Sequence, residues 1–279
     1  MTRSSTRTRT LATVGATAIA LALAACGPTA ENAPASDYVT DGKLTIGTGE
    51  PAYFPYVIDD APESGEGFEA AIAYAVAEEL GFAAEDVAWV RTTFDEAIQP
   101  GPKSFDINLQ QYTITDERAE SVDFSSPYYS TPQAVITIGS SPAAEATSLA
   151  DLTGFLIGAA TGTTSFTTIE EIIQPTSGAQ AFNSNDDAKL ALESGTIDAI
   201  VVDLPTAFYL TGVELTDGIL IGQLPADAGI SDEWGIVLAK DSALTTAVTD
   251  AVDALRDSGR LQEIADEWLG ADAGAPILE

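Results

Sequence analysis

The chain has 279 residues, 45% of them apolar, with 11 Lys plus Arg against 43 Asp plus Glu, one cysteine and no histidine. With no imidazole and Cys26 as the sole thiol, a Ser-His-Asp triad, a Cys-His pair and nearly all zinc chemistry are excluded, and no metal or cofactor is expected. A formal charge of −32 repels polyphosphate and speaks against nucleic-acid binding.

Residues 1–25 carry Arg3, Arg7 and Arg9 and then an apolar run from Leu11 to Ala25. That run is shorter than the roughly 20 residues of a membrane-spanning helix, so it reads as an export signal to be left out of the fold. Its end, "LAAC", resembles a bacterial lipobox, which predicts cleavage before Cys26 and acylation of that cysteine. The alternative is an ordinary signal followed by a chance cysteine. Losing the signal removes three arginines and no acid, moving the formal charge from −32 to −35.

Residues 26–42, with three Ala, two Pro and two Gly and no apolar periodicity, read as a flexible tether beyond the lipid anchor. After them short β-rich runs alternate with helical patterns. "KLTIGTG" (43–49) reads as a strand, 67–81 as an Ala-rich helix closed by Gly81, and "DVAWVRT" (86–92) as a second strand. "FDEAIQP" is a short helix ended by Pro100, and "FDINLQQ" (105–111) a third strand. Then follow "AVITIG", "GFLIGAA", a helix over about 163–173, "AQAF", a helix at 185–195, "TIDAIVV", "PTAFYLTG", "GILIG" and "WGIVLAK". Helices at 242–259 and 260–270, each stopped by glycine, finish the order. Such alternation argues for an α/β fold with mainly parallel sheets and helices on their faces. There is chain enough for one large or two smaller cores.

The strand "FDINLQQ" is unusual, because a central parallel strand is covered on both faces and is normally apolar. Asn108, Gln110 and Gln111 lie toward its carboxyl end, where ligands bind in open α/β sheets, so a ligand-facing role is favoured over a buried polar network.

Four motifs occur in order: "EPAYFPY" after the first strand, "TITDERAESVDFSSPYY", "GTTS" opening a helix, and "GTIDAIVVD". Together they resemble the polar amino-acid solute-binding proteins of ABC importers (family 3, type II periplasmic-binding-protein fold) over about residues 43–270. The second block is the most specific. The resemblance implies two α/β lobes joined by two hinge crossings, lobe one from 43–131 plus 228–279 and lobe two from 132–227, with the ligand cleft between them. It places Arg118 and Thr113 at the ligand α-carboxylate, Thr163 and Thr164 at the helix start completing that site, and Asp203 at the α-ammonium. Tyr53 and Phe94 fall where aromatics sandwich the ligand side chain, beside Glu50, Gln110 and Gln111. The implied protein is a monomer that captures an amino acid outside the cell and hands it to an ABC permease.

The residues support this reading in their own right: guanidinium is a planar fork suited to a carboxylate, and a helix start offers free N–H groups. Each assignment has a structural rival. Arg118 has Asp116, Glu117 and Glu120 as nearby surface partners, the threonines and Asp203 suit helix caps, and Tyr53 and Phe94 suit a core. Many relatives carry small residues where Gln110 and Gln111 stand and an acid slightly before Glu50, which leaves the ligand at "amino acid or close analogue"; the chain's acidic field favours the encounter of a cationic one. Two other functions are weighed: an enzyme on the same scaffold, similar to cyclohexadienyl dehydratase, with Glu50 or Asp203 as acid, and an extracellular sensor subunit.

Overall fold

The computed structural model describes residues 37–225, 231–270 and 275–279, so the expected export signal, Cys26 and the tether up to residue 36 lie outside the described residues. Residues 37–42, which the sequence assigns to the tether, are attached to the fold. The Val39 amide donates to Asp106 at 2.7 Å, and the Tyr38 ring meets Phe82 edge-on at 5.1 Å.

The first sheet has strand order β2-β1-β3-β11-β4, where β1 is Leu44–Gly49, β2 Val87–Thr92, β3 Ile107–Asn108, β4 Val122–Phe124 and β11 Val237–Ala239. Alternation along β1 sends Leu44 and Ile46 to one face, where they pack with Phe68, Ile72 and Val76 of α1 (Phe68–Glu79). Val248 and Val252 of α8 (Thr245–Asp257) and Ile264 of α9 (Arg260–Trp268) join that core. The opposite face is closed by Ala97 of α2 (Phe94–Ile98) with Phe105, Tyr112 and Val237. α2 starts where it does because Thr93 and Glu96 form a reciprocal capping box. α1 starts at Gly67, whose φ of 109° and 2.5 Å approach of a notional Cβ to the Tyr56 carbonyl leave room only for glycine.

The second sheet runs β10-β5-β8-β6-β7, with β9 also on β5. Its strands are β5 (Tyr129–Ile138), β6 (Ile157–Ala160), β7 (Gln180–Phe182), β8 (Ala199–Asp203), β9 (Gly218–Gln223) and β10 (Ser231–Trp234). The helices are α4 (Leu149–Leu152), α5 (Thr164–Thr168, continued as a π-helical turn to Ile173), α6 (Asn185–Glu193) and α7 (Leu204–Tyr209). Val135, Val201 and Ile157 fill the core on one face, and Ala134, Ile200 and Leu192 that on the other.

The two α/β layers are those expected, but the sheets are mixed. β1 is parallel to β2 and β3, and β6 to β7 and β8, whereas every pairing of β5 and β11 is antiparallel. The reason is that β5 carries the chain from the first sheet to the second and β10 brings it back. The two crossings pair with each other, Thr131 opposite Asp232 and Tyr129 opposite Trp234.

Three segments depart from the sequence reading. Around Arg118, to which the pattern assigns no regular element, one helical turn (α3, Asp116–Ala119) is capped by Thr115. β3 shrinks to two residues as the backbone turns to a φ of 51° at Gln111. Asn108 is turned inward rather than to the loops at the sheet's edge: it is buried, donates from Nδ2 to Thr92 Oγ1 at 2.9 Å and lies against Gly47, where a Cβ would come within 2.2 Å of Nδ2. Its amide is part of an internal network.

The carboxyl-terminal residues, grouped by the sequence with lobe one, dock on the second sheet. Gln223 donates to Pro276 at 2.7 Å, Leu278 donates to Gln223 at 2.9 Å, and the buried Leu278 side chain joins Val135, Ile221 and Leu224. Leu278→Ala is expected to lower stability by about 2 kcal/mol in urea unfolding, the low end for a buried leucine because a terminal segment can detach locally.

Candidate functional site

Loops at the facing edges of the two sheets enclose a cleft. Arg118 reaches its wall from α3, donating from Nη1 to the Thr113 carbonyl at 2.7 Å and from Nη2 to the Gly162 carbonyl at 2.8 Å. The guanidinium carbon stands 5.4 Å from the Phe94 ring centroid, a cation–π geometry. Six of the eight described cations, Lys43, Arg91, Lys189, Lys240, Arg256 and Arg260, pair with a carboxylate within 4 Å; Arg118 does not. Asp116, Glu117 and Glu120 are therefore not its partners. Burial lowers its pKa, and the field of Asp232 works against that shift. Of the five N–H donors of a guanidinium, the two carbonyls take two.

Thr113 and Thr164 face each other across the cleft with their hydroxyls 3.4 Å apart, and Thr113 also donates to Asp232 at 2.9 Å. The Thr163 hydroxyl is used within its own turn, accepting from the Phe166 amide at 3.2 Å and donating to Ala160 at 2.7 Å. The threonine pair thus divides: Thr163 builds the helix start, and Thr164 meets Thr113 from it.

Asp203 lines the cleft and also caps α7. It accepts from the Thr206 amide at 2.9 Å, the Thr206 hydroxyl at 2.8 Å and the Tyr56 hydroxyl at 2.6 Å. Burial raises its pKa, against the pull of those bonds. A carboxylate accepts about four hydrogen bonds, so the cap does not exhaust it. Tyr53 crosses to α6, its hydroxyl donating to Asp186 at 3.1 Å. Phe94 is stacked at 4.6 Å on Tyr112 and forms the floor beneath Arg118. Glu50 is exposed on the cleft wall. Gln110 accepts from the Tyr112 hydroxyl at 2.8 Å, and Gln111 turns its backbone and side-chain N–H groups to Glu69. Both line the cleft, with much of the Gln111 amide already committed.

Among the wall residues that escape sequence reasoning are Tyr56, Glu69, Gln133 and Asp232. Glu69 offered a signal, an acid between Phe68 and Ile72 in an otherwise apolar helix start. It is buried, accepts from Tyr128 and Gln111, and burial pushes its carboxyl up to about 7 against those bonds. Asp232 on β10 is buried, its pKa raised chiefly by desolvation, and it accepts from Thr113 and Gln133. No group of three or more acidic, Cys or His residues among the described residues is arranged to hold a metal ion.

Interlobe contacts close the cleft at Arg118–Gly162, Thr113–Thr164, Tyr56–Asp203 and Tyr53–Asp186. Phe54 and Tyr209 add an aromatic pair, centroids 4.8 Å apart. The model of the bacterial extracellular solute-binding proteins, family 3, matches residues 44–271. The chain belongs to that family.

Its relatives are amino-acid-binding proteins. The L-arginine-binding protein of Pseudomonas aeruginosa is 32% identical over 255 residues, covering 84% of this chain and 91% of its own. The L-cystine-binding protein TcyJ of Escherichia coli K12 is 30% identical over 236 residues, covering 83% and 84%. The crystal structure of an ancestral amino acid-binding protein, described as a precursor of cyclohexadienyl dehydratase, superposes with a TM-score of 0.66 at 28% identity, covering 82% of this chain and 95% of that one. This family 3 chain is thus an extracytoplasmic solute-binding protein with an α/β two-lobe fold. Among the described residues no helix is long and apolar enough to cross a membrane.

Proposed function

We propose that this solute-binding protein captures an amino acid in the interlobe cleft and delivers it to an ABC permease, held at the membrane through an acylated Cys26. The observation that carries the reading is Arg118: in a chain so rich in acids, its guanidinium stands on a cleft wall with no carboxylate of the described residues within 4 Å. A bound carboxylate is the counter-ion it fits. In this reading Thr113 and Thr164 complete the carboxylate site, Thr163 supports it by building the helix start, and Asp203 takes the ammonium. Tyr53, Phe94, Glu50, Gln110 and Gln111 surround the side chain. The paired crossings β5 and β10 are the hinge between the lobes.

Glu50, Glu69, Asp95, Asp203 and Asp232 line the cleft beside Arg118, the single cation among the described lining residues. That balance favours a ligand with a second positive charge, and the arginine ligand named for one relative makes L-arginine the first to try. In isothermal titration calorimetry against the twenty proteinogenic L-amino acids, wild-type protein is expected to bind at least one with one-to-one stoichiometry and micromolar or tighter affinity. No binding across the whole panel removes the reading.

The enzyme alternative draws support from the dehydratase precursor and from Glu69, an acid near neutrality on the cleft wall. Against it, both Glu69 oxygens already accept hydrogen bonds from Tyr128 and Gln111, which favours a structural role. Incubation with prephenate and arogenate is expected to give no aromatic product; steady turnover replaces the binding-protein reading with an enzymatic one.

A further inference from the structure

Gln133, which carries no assigned role, lies in β5 directly opposite Asp203 of β8. Residues opposed in this way project from the same face of the sheet. The Gln133 side chain is only 1% exposed and stands on the cleft wall. Its Nε2 donates to Asp232 on the neighbouring crossing strand.

That bond orients the amide. A carboxylate offers acceptors only, and Asp232 also accepts from Thr113 and sits in the attractive field of Arg118, so the NH2 end of Gln133 must point to it and Oε1 must point away. Oε1 is fully enclosed and has no hydrogen-bond partner among the described residues. The other side-chain atoms in that position belong to Thr45, Asn108 and Thr168, none of which lines the cleft. An enclosed amide oxygen without a donor carries a desolvation penalty that a leucine of similar size would avoid. The arrangement makes sense if a donor arrives from the cleft. Because Asp203 and Asp232 stand on the two strands flanking β5, the donor their charges favour is a cationic N–H.

We infer that Gln133 Oε1 accepts a hydrogen bond from the primary ammonium of the bound amino acid, forming the ammonium site together with Asp203, with Asp232 as the positioning residue that fixes the amide. This rests on the amino-acid reading above and assigns a binding residue that reading lacks. It also gives the hinge a direct ligand contact, since Gln133 belongs to one crossing strand and Asp232 to the other.

The test uses the tightest binder from the twenty-amino-acid panel and its deamino analogue, the carboxylic acid with hydrogen in place of the ammonium group. Both are titrated into wild type and into Gln133→Met, a near-isosteric change. The amino acid is expected to bind Gln133→Met about 10- to 100-fold more weakly, with the analogue changed by less than about twofold because it never made the bond. Equal weakening of both, or of neither, overturns the assignment and leaves the amino-acid reading intact. Failure of wild type to bind any of the twenty overturns that reading, and this inference with it. A crystal structure of the wild-type complex decides independently of how the variant folds or how tightly the analogue binds. An ammonium nitrogen within hydrogen-bond distance of Oε1 supports the assignment, and one beyond it overturns it.

Discussion

Arg118→Ala is expected to remove amino-acid binding while leaving the fold standing. Charge-assisted hydrogen bonds are worth about 1.5–3 kcal/mol each, so losing a two-pronged contact weakens binding by roughly 10²- to 10⁴-fold. The cost to the unliganded protein is small, because the bonds given up run to two carbonyls, Thr113 and Gly162, and among the described residues no buried acid loses a partner within ion-pair distance. Arg118→Lys keeps the charge on the Phe94 ring but not the planar fork, and should fall between wild type and alanine. Calorimetry with the amino acid that wild type binds best, alongside thermal melting of each variant, measures both effects. Affinity within about threefold of wild type in a folded Arg118→Ala protein refutes the carboxylate assignment.

Glu69→Gln is expected to make the protein more stable at pH 8 and to change little at pH 5. Burial raises the Glu69 carboxyl from 4.5 to about 7, an effect its bonds to Tyr128 and Gln111 only partly offset. A raised folded-state pKa means that the native state holds a proton which the unfolded chain releases between about pH 4.5 and 7. The stabilising contribution is therefore complete below pH 4.5 and is lost as the pH climbs through 7, with a ceiling of about 3 kcal/mol from this group. Glutamine keeps a side-chain oxygen to accept from Tyr128 and the Gln111 backbone, and it has no proton to lose. Urea unfolding of wild type and variant at pH 5 and pH 8 isolates the effect, because the general repulsion among the acids is nearly common to both. A stability difference that does not vary with pH rules out Glu69 as a buried titrating group.

The order of strands and helices was legible because each carries a local signature. The apolar alternation of "KLTIGTG" became β1, and the Thr93–Glu96 box began α2. The family motif around Arg118 was equally local, since Thr113, Thr115 and Arg118 act within a single turn. The fate of the three amides in and just after β3 was not legible. Composition gives Asn108, Gln110 and Gln111 the same chemistry, and only packing sent the first against Gly47 and tied the third to Glu69 of α1. β10 and the carboxyl-terminal segment were missed for a related reason: at four and five residues, they are too short to display a period.

From the residues alone came an acidic chain without imidazole, an export-type start, an α/β alternation and a guanidinium placed in a recognisable block. Covalent neighbours and short-range periodicity suffice for these. Which groups meet in the cleft was decided only when the chain folded, because Gln133 and Asp232 lie 99 residues apart and Thr113 and Asp232 lie 119 apart. No local pattern encodes a hydrogen bond between two crossing strands; their antiparallel pairing creates it, and burial then sets how strongly each charge and each unmet acceptor counts.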